Sequence, residues 1–542
     1  MMKEAKVSQR KFSAWKIKPV LSLFFIFLFF SFGWSVQAQE VQARGSRALA
    51  LSLDECIELA LKHNLNLAVE KYGPEIAEAA ASRAREMFLP RFDLTFGRQR
   101  QENPPYWWIQ GATTIVTKYQ DYSFSVSQQL PTGGLVSLSF SSYRSDTNQA
   151  FQLINPRYGS TIRFDLNLPL LRDFGPKMSR REIILAEKNI DVAWKQYEAA
   201  LTETIYLVEE AYWNLVFAVE NLKVKQYSLQ LARDLLKKNQ KEVEVGKLAP
   251  IELLNAEAEV ASREAELIQA ERMVERAEQV LHNLLNLEVD PEKAGSLITP
   301  REQPEFRPRQ PSPEQALQKA LEKRPELEQL RKNIEIREFQ VALAKNDLLP
   351  RLDLQFSYWS PGISGDRLLY LNDNPFLGVI VGREKGSASD SIRDALKLLY
   401  QNWNVALNFS FPLSSLTSRA NYASARLELE QSQARLKSLE QQIRLEVSDT
   451  IRDIETNAKR VEALRLARET AEKRLLAEEK KMAVGLTTNY FVLQYQAELA
   501  NARSLELRAL VDYILAWARL EKLTGEILDR YRDRLKLMPE SK

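Results

Sequence analysis

Two hydrophobic periods alternate along this chain. A helical pattern from about Ser52 to Phe88 stops at Pro90, which disfavours helix at the residue before it and opens an extended segment. There the period drops to two: Phe92, Leu94 and Phe96 share one strand face, and Arg91, Asp93 and Thr95 the other. The same alternation sets Tyr122, Phe124 and Val126 against Ser123, Ser125 and Ser127, and Val136, Leu138 and Phe140 against Ser137, Ser139 and Ser141. It sets Phe164, Leu166 and Leu168 against Arg163, Asp165 and Asn167. Later come Leu352, Leu354, Phe356 and Tyr358, then Trp403, Val405, Leu407, Phe409 and Phe411. After Pro169-Leu170 and Pro412-Leu413 the period returns to helical. The stretches from about Ser179 to Val245 and from about Ser418 to Val484 hold no Pro or Gly, so each predicts a rod of about 100 Å. Each rod stops at a glycine, Gly246 or Gly485, and a return helix follows.

The two passages are one sentence written twice. FLPRFDLTF (Phe88 to Phe96) is nearly repeated by LLPRLDLQF (Leu348 to Phe356), and setting Pro90 on Pro350 gives an offset of 260 residues. Without a gap, that offset also pairs Ser52 with Ser312, Ala60-Leu61 with Ala320-Leu321, and Leu67 with Leu327. In the rods, one offset of 239 relates Gly246 to Gly485 and Ala258-Glu259 to Ala497-Glu498. A Pro-rich linker, about Pro291 to Pro313, separates the halves.

Composition narrows the class. The 542 residues carry 75 Lys and Arg against 72 Asp and Glu, and no basic patch with interleaved aromatics, so nothing marks a nucleic-acid binder. A single cysteine, Cys56, rules out an intramolecular disulfide and a Cys-based zinc site, and reads as a buried small residue. At the N-terminus six basic residues precede LSLFFIFLFFSFGW, and Val36-Gln37-Ala38 supplies small residues for cleavage after Ala38: a secretory signal peptide. After residue 38 no segment is long and apolar enough for a membrane helix. The mature chain is therefore expected to be exported, and to enter any membrane as strands.

Strands with one apolar and one very polar face suit either a soluble sandwich or a membrane barrel. Export, and aromatics near strand ends and loops (Tyr106-Trp107-Trp108, Tyr119, Tyr143, Tyr158, Tyr358-Trp359, Tyr400, Trp403), favour the barrel. Four to six strands are too few to close one, and lipid does not tolerate an open sheet edge, so copies of the chain must complete it. The rods leaving such a ring would themselves form a hollow tube.

These features resemble the outer-membrane efflux protein family, the TolC-like channel tunnels. The residues that carry the resemblance, over about 50 to 530, are the duplicated LPR-x-DL segments, YWNLVFA at Tyr212 to Ala218, the two VG turns, and AEAEVASREAELIQA after the first turn. It implies an α+β membrane protein of two internal repeats: a trimeric β-barrel in the outer membrane of a Gram-negative bacterium, continued by a long periplasmic α-helical barrel. It also implies four membrane strands per chain, so the hairpin around Pro131-Thr132-Gly133-Gly134 is expected to extend strands above the membrane. The implied partners are two further copies in a homotrimer, outer-membrane lipid, a periplasmic adaptor, and an inner-membrane pump driven by protons or ATP. No cofactor, metal or catalytic residue is expected: the chain has two histidines and no HExxH, phosphate loop or GxSxG.

By the same resemblance, the periplasmic tips contact the adaptor through Val245, Gly246, Lys247, Leu248, Ala249, Val484, Gly485, Leu486, Thr487 and Asn489. Glu252, Phe491 and Gln494 stand at the pore constriction. The family's acidic pair falls here on Phe491 and Gln494, and its basic gate residue on Thr487, so this chain departs from that pattern. The expected divisions are a signal peptide (1–38), a first helical segment (39–88), strands with an extracellular loop (89–175) and a long helical hairpin (176–290). A linker (291–311) leads to the second set (312–348, 349–413, 414–534) and a tail (535–542). The expected function is the exit duct of a tripartite efflux or type I secretion system. The alternative is a structural or adhesive outer-membrane protein whose rods serve as spacers.

Overall fold

The computed structural model describes residues 49–287, 298–484 and 486–535. The signal peptide, the start of the linker, Gly485 and the tail from 536 lie outside the described residues.

The first repeat opens with β1 (Leu49–Leu51), α1 (Leu53–His63) and α2 (Leu65–Arg85), followed by four long strands. These are β2 (Arg91–Asn103), β3 (Ile115–Gln129), β4 (Leu135–Thr147) and β5 (Ile154–Pro169). A one-turn α3 (Pro176–Ser179) leads into the 64-residue α4 (Arg181–Glu244), and α5 (Pro250–Leu285) returns. Linker strand β6 (Ile298–Pro300) lies parallel to β1. The second repeat runs α6 (Pro313–Lys323), α7 (Pro325–Asn346), β7 (Arg351–Tyr370), β8 (Ile380–Glu384), α8 (Ala388–Leu396) and β9 (Asn402–Ser410). It ends with the 68-residue α9 (Leu416–Ala483), α10 (Asn489–Thr524) and α11 (Glu526–Leu535).

The duplicated residues hold duplicated places, though Ser312 makes no side-chain cap bond. Ser52 caps α1 through a reciprocal box with Glu55 (3.3 Å to the Glu55 N–H, 2.8 Å back), and its counterpart Ser312 stands at the N-cap of α6. Ala60, Leu67, Ala320 and Leu327 are all buried, and β2 and β7 each begin one residue after their proline. Cys56 is buried and unpaired. Tyr212, from YWNLVFA, is buried among Leu215, Leu281 and Ile298, and its hydroxyl donates to the Glu302 carboxylate, strapping the linker to α4. Tyr513 does the same in the second repeat, donating to the Arg307 carbonyl at 2.9 Å.

In the helical layer α4 packs on α2, α5, α7 and α10, and α9 packs on α7 and α10. Asn64, which caps α2, also donates to the Leu284 carbonyl at 2.8 Å, so α2 continues the line of α5. Gly525, at the end of α10, meets Lys323 at the α6–α7 junction. Four rods result, in the order α2 with α5, α4, α7 with α10, α9. The outer rods present apolar residues to solvent, among them Val69, Ile76 and Ile268 on one side and Leu427, Leu445 and Leu466 on the other. Among the described residues no helix is long and apolar enough to cross a membrane.

The sheet corrects the expected strand count. Its order is β2-β3-β4-β5-β7, with β9 and the short β8 both on the free side of β7, and all these neighbours are antiparallel. One row of paired positions reads Phe92, Val126, Leu138, Phe164, Tyr358, Trp403; on the opposite face another reads Arg91, Ser127, Ser137, Asp165, Ser357, Asn404. Six long strands therefore share one apolar and one polar face, the upper end of the four to six read from the alternation and two more than the resemblance implies for the membrane. Nor does the Pro131–Gly134 turn extend the far end of the sheet. Gly175 N–H donates to the Thr132 carbonyl at 3.0 Å, and the Ser179 hydroxyl to the Leu130 carbonyl at 3.2 Å, which fixes the turn at the end where the helices begin. Gly133 is in the left-handed region (φ +97°), and a Cβ there would fall 2.6 Å from the Asp173 carbonyl oxygen, so the position has no room for a side chain.

Candidate functional site at the helical tips

The first rod ends with Val245, and the chain turns at Gly246, whose φ of +71° is one that glycine adopts without strain. Gly246 N–H donates to the Val243 carbonyl (2.9 Å) and Lys247 N–H to that of Glu242 (2.8 Å), satisfying the last carbonyls of α4. Extended Ala249 and then Pro250, with no N–H to lose, start α5. In the second repeat α9 ends at Ala483, Leu486 N–H donates to the Lys481 carbonyl (2.9 Å), and extended Thr488 precedes α10. Gly485 itself is outside the described residues.

The expected adaptor-facing residues separate into two groups. Val245, Gly246, Lys247, Ala249, Val484 and Leu486 are exposed, and Leu248 and Thr487 are half-buried. Asn489 is not on the surface: it is 5% exposed, and its amide donates to the Asn239 side chain at 2.5 Å. Asn239, fully buried on α4, donates in turn to the Glu252 carbonyl at 3.5 Å. Two asparagines 250 residues apart thus tie the second hairpin to the first. The residue equivalent to Asn239 under the offset of 239 is Glu478, and it does something different. It accepts from the Thr487 hydroxyl at 2.5 Å and from Lys481 at 3.1 Å, bracing its own turn; these two contacts hold its carboxyl below the usual range.

Of the residues expected at a constriction, Phe491 and Gln494 are exposed, and Phe491 sits edge-on to Tyr490 at 5.6 Å. Glu252 is half-buried, with one carboxylate oxygen enclosed and unpartnered. Above the turns Arg263 is 3% exposed and joins three helices: it donates to its own Glu259 (2.9 Å), to the Ser228 carbonyl on α4 (2.8 Å) and to the Leu493 carbonyl on α10 (2.8 Å). Around these polar bonds lies a cluster from all four long helices, with Ala232, Leu235, Ala256, Ala471, Leu475 and Val492 buried in it. The tips are therefore a packed unit held by amide and guanidinium bonds, with apolar Val245, Val484 and Leu486 at the surface.

Rods longer than compact domains contain, a sheet with two open edges and one apolar face, and a closed helical tip define a class, and the chain belongs to it: it is a member of the outer membrane efflux protein family, matched over residues 128–287 and 316–526. Membership of that family makes it a protein of the outer membrane. Among curated proteins it is similar to the alkaline protease secretion protein AprF of Pseudomonas aeruginosa, at 23% identity over 62% of this chain. That match spans 64% of AprF. Among solved structures it resembles the Campylobacter jejuni CmeC outer membrane channel (TM-score 0.65, 16% identity, 90% of each chain). It also resembles the outer membrane protein VceC of Vibrio cholerae (TM-score 0.61, 16% identity, 87% of this chain and 96% of that one).

Proposed function

We propose that three copies of this chain form one continuous duct through the outer membrane and into the periplasm. In this reading the duct receives cargo from an inner-membrane pump through a periplasmic adaptor docked on the tips. The observation that carries it is that sheet and helices are open on the same two sides. The β2 edge follows directly from α2, and the β9 edge leads directly into α9, so a neighbouring copy meets an unpaired strand and an unpartnered apolar rod together. Copies placed side by side satisfy both at once, which a solitary anchor with spacer rods does not require. Exposed Val245, Val484 and Leu486 give the adaptor an apolar surface at the far end.

The cargo is a small molecule or an exported polypeptide, according to the pump; the resemblance to a protease secretion protein supports the polypeptide. Native mass measurement in mild detergent, followed by conductance in a planar bilayer, tests the reading. A trimer that conducts, and that conducts more when the tip bonds are cut, is the expected result. A stable monomer excludes the ring, and an assembled trimer with no conductance in any tip variant leaves the structural spacer.

A further inference from the structure

Building on the reading of the chain as a closed trimer, we propose that each copy contributes six strands to the membrane wall, eighteen in the trimer. The β3–β4 hairpin is the pair in question. Its strands are 15 and 13 residues long, and a tilted strand needs about 9–11 residues to cross the hydrocarbon layer. Both lie in full register between β2 and β5, and both carry the alternation that places Val126 and Leu138 on the apolar row. The hairpin cannot swing out of the wall without stripping the ladder bonds of β2 on one side and β5 on the other. In lipid those groups would have to be paired again by joining β2 directly to β5, against the full-length ladders the hairpin already makes with both.

The wall closes by pairing the β2 edge of one copy with the β9 edge of the next. β2 runs away from the helices and β9 runs back toward them, so the seam is antiparallel like every other pair in the wall. At the seam Phe92 and Leu94 of one copy stay on the same outer face as Val405 and Leu407 of the next. Width follows from strand number: at a spacing of about 4.8 Å and a tilt of about 40°, eighteen strands make a barrel ~36 Å across between backbones, against ~24 Å for twelve. Twelve rods spaced about 10 Å apart make a ring ~38 Å across between axes. The eighteen-strand barrel therefore continues the helical tube at nearly its own width. Such a duct admits polypeptide segments with secondary structure as well as small solutes.

Paired cysteines on the polar face test the seam. Asp93→Cys and Thr95→Cys are each combined with Asn404→Cys, Ala406→Cys and Asn408→Cys, and Ser139→Cys in β4 is combined with the same three. Native Cys56, buried, stays silent. Oxidation of the intact oligomer is expected to give covalent multimers for at least one pairing of 93 or 95, since cross-strand Cα atoms about 4.5–5.5 Å apart admit a disulfide. No multimer is expected from position 139. Crosslinking through position 139, or none through 93 and 95 while native mass still reads trimer, overturns the six-strand wall. A monomer before oxidation overturns the duct reading instead. Counting strands in an image of the oligomer is the direct test: eighteen supports the wall and twelve refutes it.

Discussion

Replacing Arg263 with methionine isolates the polar clasp at the tips. The two side chains have similar length, so the change leaves no large cavity; it removes three charge-assisted bonds that join α5 to α4 and α10. Removing one partner of a buried ion pair costs about 3–5 kcal/mol when the other charge is stranded. Here the loss is smaller. Glu259 is about one-third exposed and rehydrates, and the Ser228 and Leu493 carbonyls keep their intrahelical partners. A cost of about 2–3 kcal/mol remains, confined to the lower helices, equivalent to about a 30- to 150-fold faster amide exchange at one decade per 1.4 kcal/mol. Hydrogen exchange read on peptides covering Asn489 to Leu499 is the assay, with the β3–β4 peptides as internal control. Arg263→Lys, which keeps the charge but not the planar fork, is expected in between. If α10 in Arg263→Met exchanges within threefold of the parent, the clasp contributes nothing and the tips are held by the apolar cluster alone.

Gly246 has open space around its α-carbon, so substitution there costs only the left-handed conformation: about 1–2 kcal/mol for Ala, more for Val, little for Asn. Gly246→Val should loosen the first tip and raise leak conductance while trimer yield and barrel exchange stay unchanged, and Gly246→Asn should behave as the parent. Burial pushes Glu209 up to about 7 against the pull of Arg530 at 3.1 Å. Because its folded value lies above the ordinary 4.5, its contribution is fully present below about 4.5 and lost as pH rises through about 7. Melting temperature of the parent should therefore fall relative to Glu209→Gln between about pH 5 and 8; a difference that is flat or of opposite sign refutes the assignment.

The sequence made the repeat, the rods and the turns legible because each is written in local terms. Ser52 and Ser312 start helices, Ala60 and Ala320 face the core, and Gly246 adopts the one conformation that ends a rod and reverses it. The bonds across the tips were not legible. Asn239 and Asn489 are 250 residues apart, and an asparagine on a charged helix reads as solvated until a neighbour covers it. Arg263 did leave a signal: it lies seven residues from both Ala256 and Ala270, all three buried, so a cation stands on the apolar stripe of α5. Reading the stripe before the charge would have placed it inside.

The strand count was legible in length and parity rather than in period. Each limb of the hairpin is long enough to cross by itself, and a hairpin whose turn is rich in Pro and Gly can lie at either end of a sheet. Direction settles which. β2 leaves the helices and β5 must return to them to reach Pro169 and α4, so strands can be added between them only in pairs. One added pair reverses direction twice, keeps every neighbour antiparallel, and leaves β2 and β9 at the edges with their original sense. The helical layer is indifferent to the change, because α2 and α4 still meet the sheet at the same end. Two repeats sharing a plan for their rods can therefore differ by a whole hairpin in their strands. In the proposed trimer the cost falls on circumference alone, and a wall that continues a wide ring of helices gains from it.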